Sequence, residues 1–285
     1  MKQPLVALAS LGLVLLSGLP TQPTAQAAPL AVSAKAASGA AYSKVKLTPS
    51  FYQMDPTAEF DGNGSNFCAP TAVSNGLIYL TVGRGLEGLV EETDHDGQVA
   101  LIKELAEHME TDPDQGTSPG QIINGVYSYV ENLEYSVGSM EVAGWRPLGA
   151  DNEECSIAKK PNFAWLKKAT QDPDTVVLLN VGWYKAEAGG YRRYGGHWVT
   201  AVGAGPGQWD LQVRNPAIRA GDQARLSTVS FTTLGNNIAI AKTPTPARGL
   251  PPTLAGYMKV AGPGLPHGQS YIAVLDCAMA FTIEE

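Results

Sequence analysis

The chain has 285 residues, of which 20 are basic and 27 acidic, so its formal net charge is −7. An acidic chain of this kind argues against nucleic acid or an anionic membrane surface as a partner. Hydrophobic residues make up 44% of the sequence, which is enough for a core that does not depend on disulfides or metals.

The first 28 residues have the pattern of a secretory signal. Lys2 precedes an apolar run over residues 5–16, and the small residues Ala25 and Ala27 indicate a cleavage site. The run is shorter than the ~20 apolar residues that span a bilayer. We therefore expect residues 1–28 to be removed and the protein to be exported, to the periplasm or the medium, without a membrane span.

Removal of the signal leaves 257 residues, which suits one large domain or two lobes of ~120 residues each. Residues 29–46 are rich in alanine and serine and are predicted to be a spacer. Residues 47–285 are predicted to form the folded domain, and we expect it to be a monomer.

Apolar residues recur at helical spacing in four segments of the first part of this domain. Helices are predicted to begin at Cys68, at Pro119, at Pro161 and directly after the polar run 94–96. This run, Asp-His-Asp, is interpreted as a helix cap rather than as a set of metal ligands. We therefore expect neither a metal nor another cofactor.

Strand patterns dominate the second part of the domain. The predicted strands cover residues 175–184, 197–202, 209–215, 271–275 and 278–283. Residues 235–268 are rich in proline and glycine and are not assigned. Helices followed by strands predict an α+β fold, in which a helical lobe at 66–172 packs on a mostly antiparallel sheet at 174–285.

Cys68 is placed at the start of a predicted buried helix. Pro70 follows it, and proline is favoured in the first helical turn, where its missing N–H costs nothing. The positive end of the helix dipole and the unpaired N–H groups of the first turn stabilise a thiolate. The pattern therefore indicates a nucleophile. The alternative is a small apolar residue packed at a helix start.

His197 is the candidate base, because it follows two glycines and opens a predicted strand. If residues 203–208 form a hairpin turn, Ala201 pairs with Leu211 and His197 pairs with Asn215. The Asn215 amide oxygen would then share a face with His197 and accept a hydrogen bond from one ring nitrogen. The other ring nitrogen would then be available to accept the proton of the Cys68 thiol. The alternative is that Asn215, which precedes a proline, only ends the strand.

Three cysteines are an odd number for an exported protein. A disulfide between Cys155 and Cys277 would leave Cys68 as the free thiol. The alternative is that all three cysteines are reduced and buried, because sequence does not show whether two Cα atoms approach within ~6 Å.

Three segments of the chain, 66–72, 195–200 and 213–216, together resemble the papain-like cysteine peptidases. Their sequences are Asn-Phe-Cys-Ala-Pro-Thr-Ala, Gly-Gly-His-Trp-Val-Thr and Val-Arg-Asn-Pro. More narrowly, they are similar to the branch related to the bacterial double-glycine leader peptidases, which mature bacteriocins. The order of cysteine, histidine and asparagine matches that family, and the resemblance covers about residues 51–217.

The resemblance implies a papain-like fold in which Cys68 is the nucleophile, His197 the general base and acid, and Asn215 the residue that orients the histidine. We therefore expect a secreted thiol hydrolase that cleaves a peptide or amide bond of a peptide or protein substrate through an acyl-enzyme. A peptidoglycan amidase or endopeptidase and a transglutaminase-like cross-linker are the alternative enzymes.

The family usually places a glutamine that stabilises the oxyanion about six residues before the cysteine, and Gly62 occupies that position here. Asn63, Asn66 and Gln53 are the candidates to replace it, beside the backbone N–H of Cys68. Losing one such donor typically costs ~100- to 1,000-fold in rate. This departure keeps open a non-catalytic binding module on a decayed peptidase scaffold.

Aromatic side chains near the histidine are candidates for lining a substrate cleft. They are Trp183, Tyr184, Tyr191 and Tyr194, and the arginines Arg192 and Arg193 beside them are candidates too. The alternative is that these side chains are ordinary strand residues, since aromatic residues are common in strands and at hairpin edges.

Overall fold

The structure, a computed structural model, describes residues 44–218, 226–236, 238–241, 248–265 and 271–285. The predicted signal and all but the last three residues of the predicted spacer lie outside these ranges. Within them, no helix has the length and apolar character that crossing a membrane requires.

Helices occupy much of the chain before residue 172. The described helices are α1 (Lys44–Leu47), α2 (Cys68–Tyr79), α3 (His95–His108), α4 (Pro119–Glu131) and α5 (Phe163–Gln171). Single 3₁₀ turns cover Asp61–Gly64 and Ala150–Cys155, and a π turn, Leu80–Arg84, extends α2. The four helices expected from the apolar periodicity are confirmed as α2 to α5.

Side chains cap three of these helices, and at the start of α5 the capping residue is Asn162. Asp94 accepts the Gly97 N–H at 2.9 Å at the start of α3, as the cap interpretation of residues 94–96 requires. Ser118 forms a capping box with Gln121 at the start of α4, which has Pro119 in its first turn.

The strands form one mixed sheet. They are β1 (Ser136–Gly144), β2 (Ser156–Ala158), β3 (Thr175–Glu187), β4 (Gly190–Ala204), β5 (Asp210–Arg214), β6 (Ser227–Thr233), β7 (Met258–Ala261) and β8 (Tyr271–Glu284). Their order is β2-β1-β8-β3-β4-β5-β6-β7, and β1 with β2 is the parallel pair. Because β7 also pairs with β8, strands β3 to β8 close into an antiparallel barrel. The α+β class with a mostly antiparallel sheet is confirmed.

The sheet extends into the segment 66–172, which the sequence predicts to be a helical lobe. β1 and β2 lie in that segment, yet β1 pairs with β8 at the other end of the chain. β8 is one strand where the sequence predicts two. Asn180 pairs with Cys277 and Val181 pairs with Leu275, so Asp276 has no partner on β3 and forms a bulge.

α2 lies inside the helical layer, and all twelve of its residues are buried. Alternate residues of β3 face two cores. Val176 and Leu178 pack in the core that contains α2, whereas Val177 and Leu179 pack in the core that contains the barrel strands. A strand buried on both faces is apolar without interruption, which explains the continuous pattern in the sequence.

The hairpin that carries His197 is offset by two residues from the predicted register. Ala201 pairs with Val213 rather than with Leu211, and a bulge follows. A shift of one residue would move every side chain to the other face, but a shift of two keeps the faces unchanged. His197 and Asn215 therefore still share a face, as diagonal neighbours.

The predicted disulfide between Cys155 and Cys277 is wrong, because all three cysteines are free and buried. Cys155 directly precedes β2, Cys277 lies in β8, and β1 runs between these strands. Two strand spacings amount to ~10 Å, whereas a disulfide needs Cα atoms within ~7 Å of each other. The alternative of three reduced, buried thiols describes the structure.

The packing of α2 on β3 predicts the effect of adding a methyl group at Gly76. A Cβ there would lie 2.4 Å from Val176 Cγ1. Gly76→Ala should destabilise the fold by about 1–3 kcal/mol through overpacking, although alanine improves helix propensity by ~1 kcal/mol. Unfolding in urea measures the change. Gly235→Ala is the control, since a Cβ there meets nothing within 4 Å. Increased stability of Gly76→Ala would contradict the close packing.

Candidate active site

Cys68 is the first residue of α2 and is only 8% exposed. The loop before it is held by Gln53, whose Nε2 donates to Gly64 O at 3.0 Å and to Ser65 O at 2.9 Å. Gly64 has a φ of +72°, and a Cβ there would lie 1.8 Å from Gln53 O, so only glycine fits. These contacts fix the conformation of the loop that leads into the helix carrying the thiol.

Burial raises the pKa of the Cys68 thiol to about 11. Three backbone N–H groups lower this pKa by hydrogen bonding to the sulfur, those of Trp198, Ala69 and Cys68 itself. Two of them belong to the first turn of α2, where helical N–H groups have no partner in the helix. The resting group is therefore a neutral thiol beside three donors, rather than the thiolate expected from the helix dipole alone.

His197 lies in β4, is 4% exposed and is bound to Asn215. Its Nε2 is 2.7 Å from Asn215 Oδ1. That oxygen also accepts the Ala217 N–H at 3.0 Å, while Asn215 Nδ2 donates to Pro263 O at 3.3 Å. These contacts orient the amide with its oxygen toward the ring. Neutral His197 therefore carries its proton on Nε2, and Nδ1 is the nitrogen that can accept a proton.

Cys68 and His197 line the same cavity, which has a volume of about 660 Å³. Trp198, whose N–H acts on the thiol, directly follows His197 in the chain. No hydrogen bond joins the thiol to the imidazole in the described part of the molecule. Burial lowers the pKa of His197, and the Asn215 hydrogen bond opposes this effect. Both groups are therefore neutral at rest.

The three oxyanion candidates lie in different places. Asn66 lines the cavity, and its Nδ2 donates to Pro113 O at 2.7 Å, which leaves one amide hydrogen. Gln53 also lines the cavity, but both of its amide hydrogens bind loop carbonyls. Asn63 is exposed, with a φ of +53°, and does not line the cavity. Asn66 is thus the side-chain donor that this geometry offers.

Two of the four aromatic candidates line the cavity, Trp183 and Tyr194. The Trp183 ring lies 6.3 Å from that of His197. The predictions for Tyr184 and Tyr191 are wrong, because neither residue lines the cavity and both pack in another apolar cluster, where Tyr184 is fully buried.

Asp276, at the bulge of β8, is a buried carboxylate that the sequence prediction omits. It accepts hydrogen bonds from Trp145 Nε1 at 3.0 Å, from the Tyr184 hydroxyl at 2.6 Å and from Arg193 Nε at 2.7 Å. A charged residue between two apolar strand segments is the sequence signal for it, since buried charges require partners.

Of the two arginines among the cleft candidates, Arg193 lines the cavity and Arg192 does not. Arg146 and Asn180 also line it and are not predicted. Asn180 has a sequence signal, because it interrupts the apolar run of β3. Arg146 follows β1 and has no such signal, since its neighbours in the cavity come from distant parts of the chain.

The other histidines lie away from the cavity or outside the described residues. His95 contacts Asp96 at 2.8 Å and Asp55 at 3.1 Å, and His108 contacts Ser128 at 2.9 Å. Residue 267 lies outside the described ranges. Among the residues that the structure describes, no group of three His, Cys, Asp or Glu side chains is arranged to hold a metal.

Comparison with known proteins does not add to this picture. No model of a protein family matches the sequence, and a search of curated proteins finds no match. The geometry of the cavity and the three motifs are therefore the observations from which a function is inferred.

The neutral state of buried His197 predicts sensitivity of the fold to acid. In the unfolded chain a histidine binds a proton below about pH 6.5, whereas the lowered pKa keeps folded His197 neutral. The unfolded state then binds more protons, so the free energy of unfolding decreases with falling pH, by up to ~1.4 kcal/mol per pH unit. The loss begins near pH 6.5 and stops at the pKa of the folded state.

His197→Gln removes this contribution. Urea unfolding of the wild type and of His197→Gln between about pH 7.5 and pH 5 isolates it, because the two proteins share all other titrating groups. The free energy of unfolding of the wild type, relative to that of the variant, should decrease as the pH is lowered. A difference that does not change with pH would contradict a buried neutral histidine. His108→Gln is the control for a histidine outside the cavity.

Proposed function

We propose that this protein is a papain-like thiol hydrolase that cleaves peptide or amide bonds and is exported by the signal at residues 1–28. The proposal is supported by one observation above all. Cys68 at a helix start and His197 on a strand line one cavity, and His197 is bound to Asn215 through a hydrogen bond of 2.7 Å. A nucleophile, a base and an orienting group in these roles are the signature of covalent acyl transfer.

The architecture supports a papain-like arrangement of these groups. A buried helix that begins with the cysteine packs against β4, the barrel strand that carries the histidine. Thr200 in β4 donates to Ala72 O in the first turns of α2 at 2.7 Å. This contact holds the helix start against the strand near His197, at the junction of helical layer and barrel.

In the proposed reaction, His197 Nδ1 takes the proton of the Cys68 thiol while the sulfur attacks the carbonyl carbon of the scissile bond. The backbone N–H of Cys68 and the side chain of Asn66 stabilise the negative oxygen that forms. Protonated His197 then gives its proton to the leaving amine as the C–N bond breaks. A water molecule gives one proton to Nδ1 as its oxygen attacks the thioester carbon. The C–S bond then breaks, the carboxylic acid leaves, and Nδ1 returns the proton to the sulfur.

Asn215 orients the ring during these steps. Its oxygen accepts the Nε2 proton, which leaves Nδ1 unprotonated, and it stabilises the imidazolium ion that forms. Because Pro263 O and the Ala217 N–H hold the amide, rotation of the ring would break a hydrogen bond inside the protein. The amide therefore selects the tautomer that the reaction requires.

The Cys68 thiol and the His197 imidazole are both neutral before substrate binds. The thiol proton must therefore move to the imidazole during the reaction. Burial opposes both the thiolate and the imidazolium ion when each is considered alone. Formed together, the two opposite charges attract each other, and this attraction is stronger once a bound substrate has excluded water from the cavity. We therefore infer that thiolate forms when substrate binds and excludes water.

Cleavage of a peptide mixture by the purified protein, followed by mass spectrometry of the new termini, tests the proposal. Cys68→Ser and His197→Ala should each lower the cleavage rate by ~1,000-fold or more, because each removes a group that moves in the reaction. Asn215→Ala should lower it by ~10-fold or more through loss of the tautomer. Cys155→Ser is the matched control and should keep full activity, since Cys155 does not line the cavity.

Full activity of Cys68→Ser would contradict the proposal. Loss of turbidity of purified cell walls without cleavage of peptides from proteins would instead assign a peptidoglycan amidase or endopeptidase. Incorporation of an amine into a glutamine substrate would assign a cross-linking enzyme. Ligand binding with an unreactive Cys68 would assign a non-catalytic module.

A further inference from the structure

Two arginines form part of the wall of the catalytic cavity, Arg146 and Arg193. Arg193 has an anionic partner, because its Nε lies 2.7 Å from Asp276 Oδ2. Arg146 makes neither a hydrogen bond nor an ion pair within the residues that the structure describes. Its Nε is buried without an acceptor, and its Cζ lies 5.3 Å from the centroid of the Trp145 ring.

The two guanidinium groups leave one positive charge unbalanced. Arg193 Cζ is 5.7 Å from the same Trp145 ring, so both cations contact one indole. Burial and the nearby charge of Arg193 both lower the pKa of Arg146, although Asp276 acts in the opposite direction. Asp114 also lines the cavity, but its carboxylate is exposed to solvent. Arg146 as a whole is half-buried, but its Nε is buried without an acceptor. An anion that enters the cavity would supply that acceptor.

This positive charge lies beside the candidate base. A Cβ on Gly196 would lie 2.5 Å from Arg193 Nη2, so the guanidinium covers the residue that precedes His197. Asn180 lies on the neighbouring strand, opposite Trp198. Asn180 is 4% exposed and lines the cavity, and its Oδ1 has no hydrogen-bond partner. Because buried polar atoms are normally paired, this oxygen indicates a ligand that supplies a donor.

We propose that this wall is a subsite for a carboxylate of the substrate, held by Arg146 and Arg193, with a neighbouring N–H of the substrate donating to Asn180 Oδ1. A guanidinium group binds a carboxylate through two parallel hydrogen bonds. The inference depends on the proposed function, because it names the substrate class of the same site. That class is peptides with a carboxylate close to the scissile amide, either the C-terminus of the chain or an acidic side chain.

Alkylation of Cys68 measures the charge of this subsite without knowledge of the substrate. Iodoacetate and iodoacetamide each form a bond from carbon to the sulfur with loss of iodide, and they differ in charge. The rate constant for iodoacetate, which is an anion, is divided by that for iodoacetamide, which is neutral. This ratio should be ~10-fold higher in the wild type than in Arg146→Gln, which lacks the unpaired cation. Arg192→Gln is the matched control and should keep the ratio, since Arg192 lies outside the cavity and pairs with Glu187 at 2.7 Å.

Two results would overturn the subsite. The first is an equal ratio in the wild type and in Arg146→Gln, with Cys68 separated from the other thiols by peptide mapping. The second is a wild-type ratio no higher than that of glutathione, a thiol in free solution. The comparison with glutathione uses only the wild-type protein, so it tests the subsite even if Arg146→Gln does not fold.

Four pools of peptides identify the source of the carboxylate. The pools differ only in carrying a free acid or an amide at the C-terminus, and Glu or Gln at internal positions. Faster cleavage of the free acids assigns the chain terminus, and faster cleavage of the Glu pools assigns a side chain. Either preference should be ~10-fold and should disappear in Arg146→Gln.

The outcomes separate this inference from the proposed function. Cleavage of all four pools at one rate would retain the hydrolase and overturn the carboxylate subsite. An intact charge preference in alkylation, without cleavage of any peptide, would overturn the hydrolase and support the anion subsite alone.

Discussion

The contact between the first turns of α2 and strand β4 is the constraint on which the rest of the structure depends. The Trp198 N–H acts on the Cys68 thiol, and two residues further along β4 the Thr200 hydroxyl binds Ala72 O. α2 is buried along its whole length, so its position is determined by the packing of the entire core rather than by a local loop. The position of the thiol relative to His197 is therefore a property of the fold.

The polar groups around the cavity divide into two sets. Asp276 holds donors from Trp145, Tyr184 and Arg193, and such a fully satisfied network stabilises a unique arrangement of buried polar groups. By contrast, Arg146 Nε and Asn180 Oδ1 are buried without partners next to the cavity. The first set supports the wall, and we propose that the second set binds a ligand.

Local patterns in the sequence predict the parts of the site that are local in origin. The proline after Cys68 predicts the helix start, because its effect acts within one turn. The alternation of strand residues predicts that His197 and Asn215 share a face, and this holds although the register differs by two residues. The rule that every second residue of a strand shares a face still holds after a register shift of two residues. A prediction of exact residue pairs does not hold after that shift.

Contacts between distant parts of the chain leave no local pattern, and these are the features that the sequence does not predict. β1 pairs with β8 more than 130 residues away, so a segment predicted to be helical contributes strands to the sheet. The same pairing separates Cys155 from Cys277 by one strand and excludes their disulfide. Arg146 reaches the cavity through this part of the sheet, which is why only the structure identifies it.

The rate of alkylation of Cys68 by iodoacetamide as a function of pH tests the central claim most directly, when the wild type is compared with His197→Ala. If His197 accepts the thiol proton, the wild type should react at least ~10-fold faster than the variant at pH 7. The variant should approach the same rate only as the pH nears the raised pKa of the thiol, about 11. Identical profiles for the two proteins would show that the imidazole does not act on the sulfur, and would contradict the account.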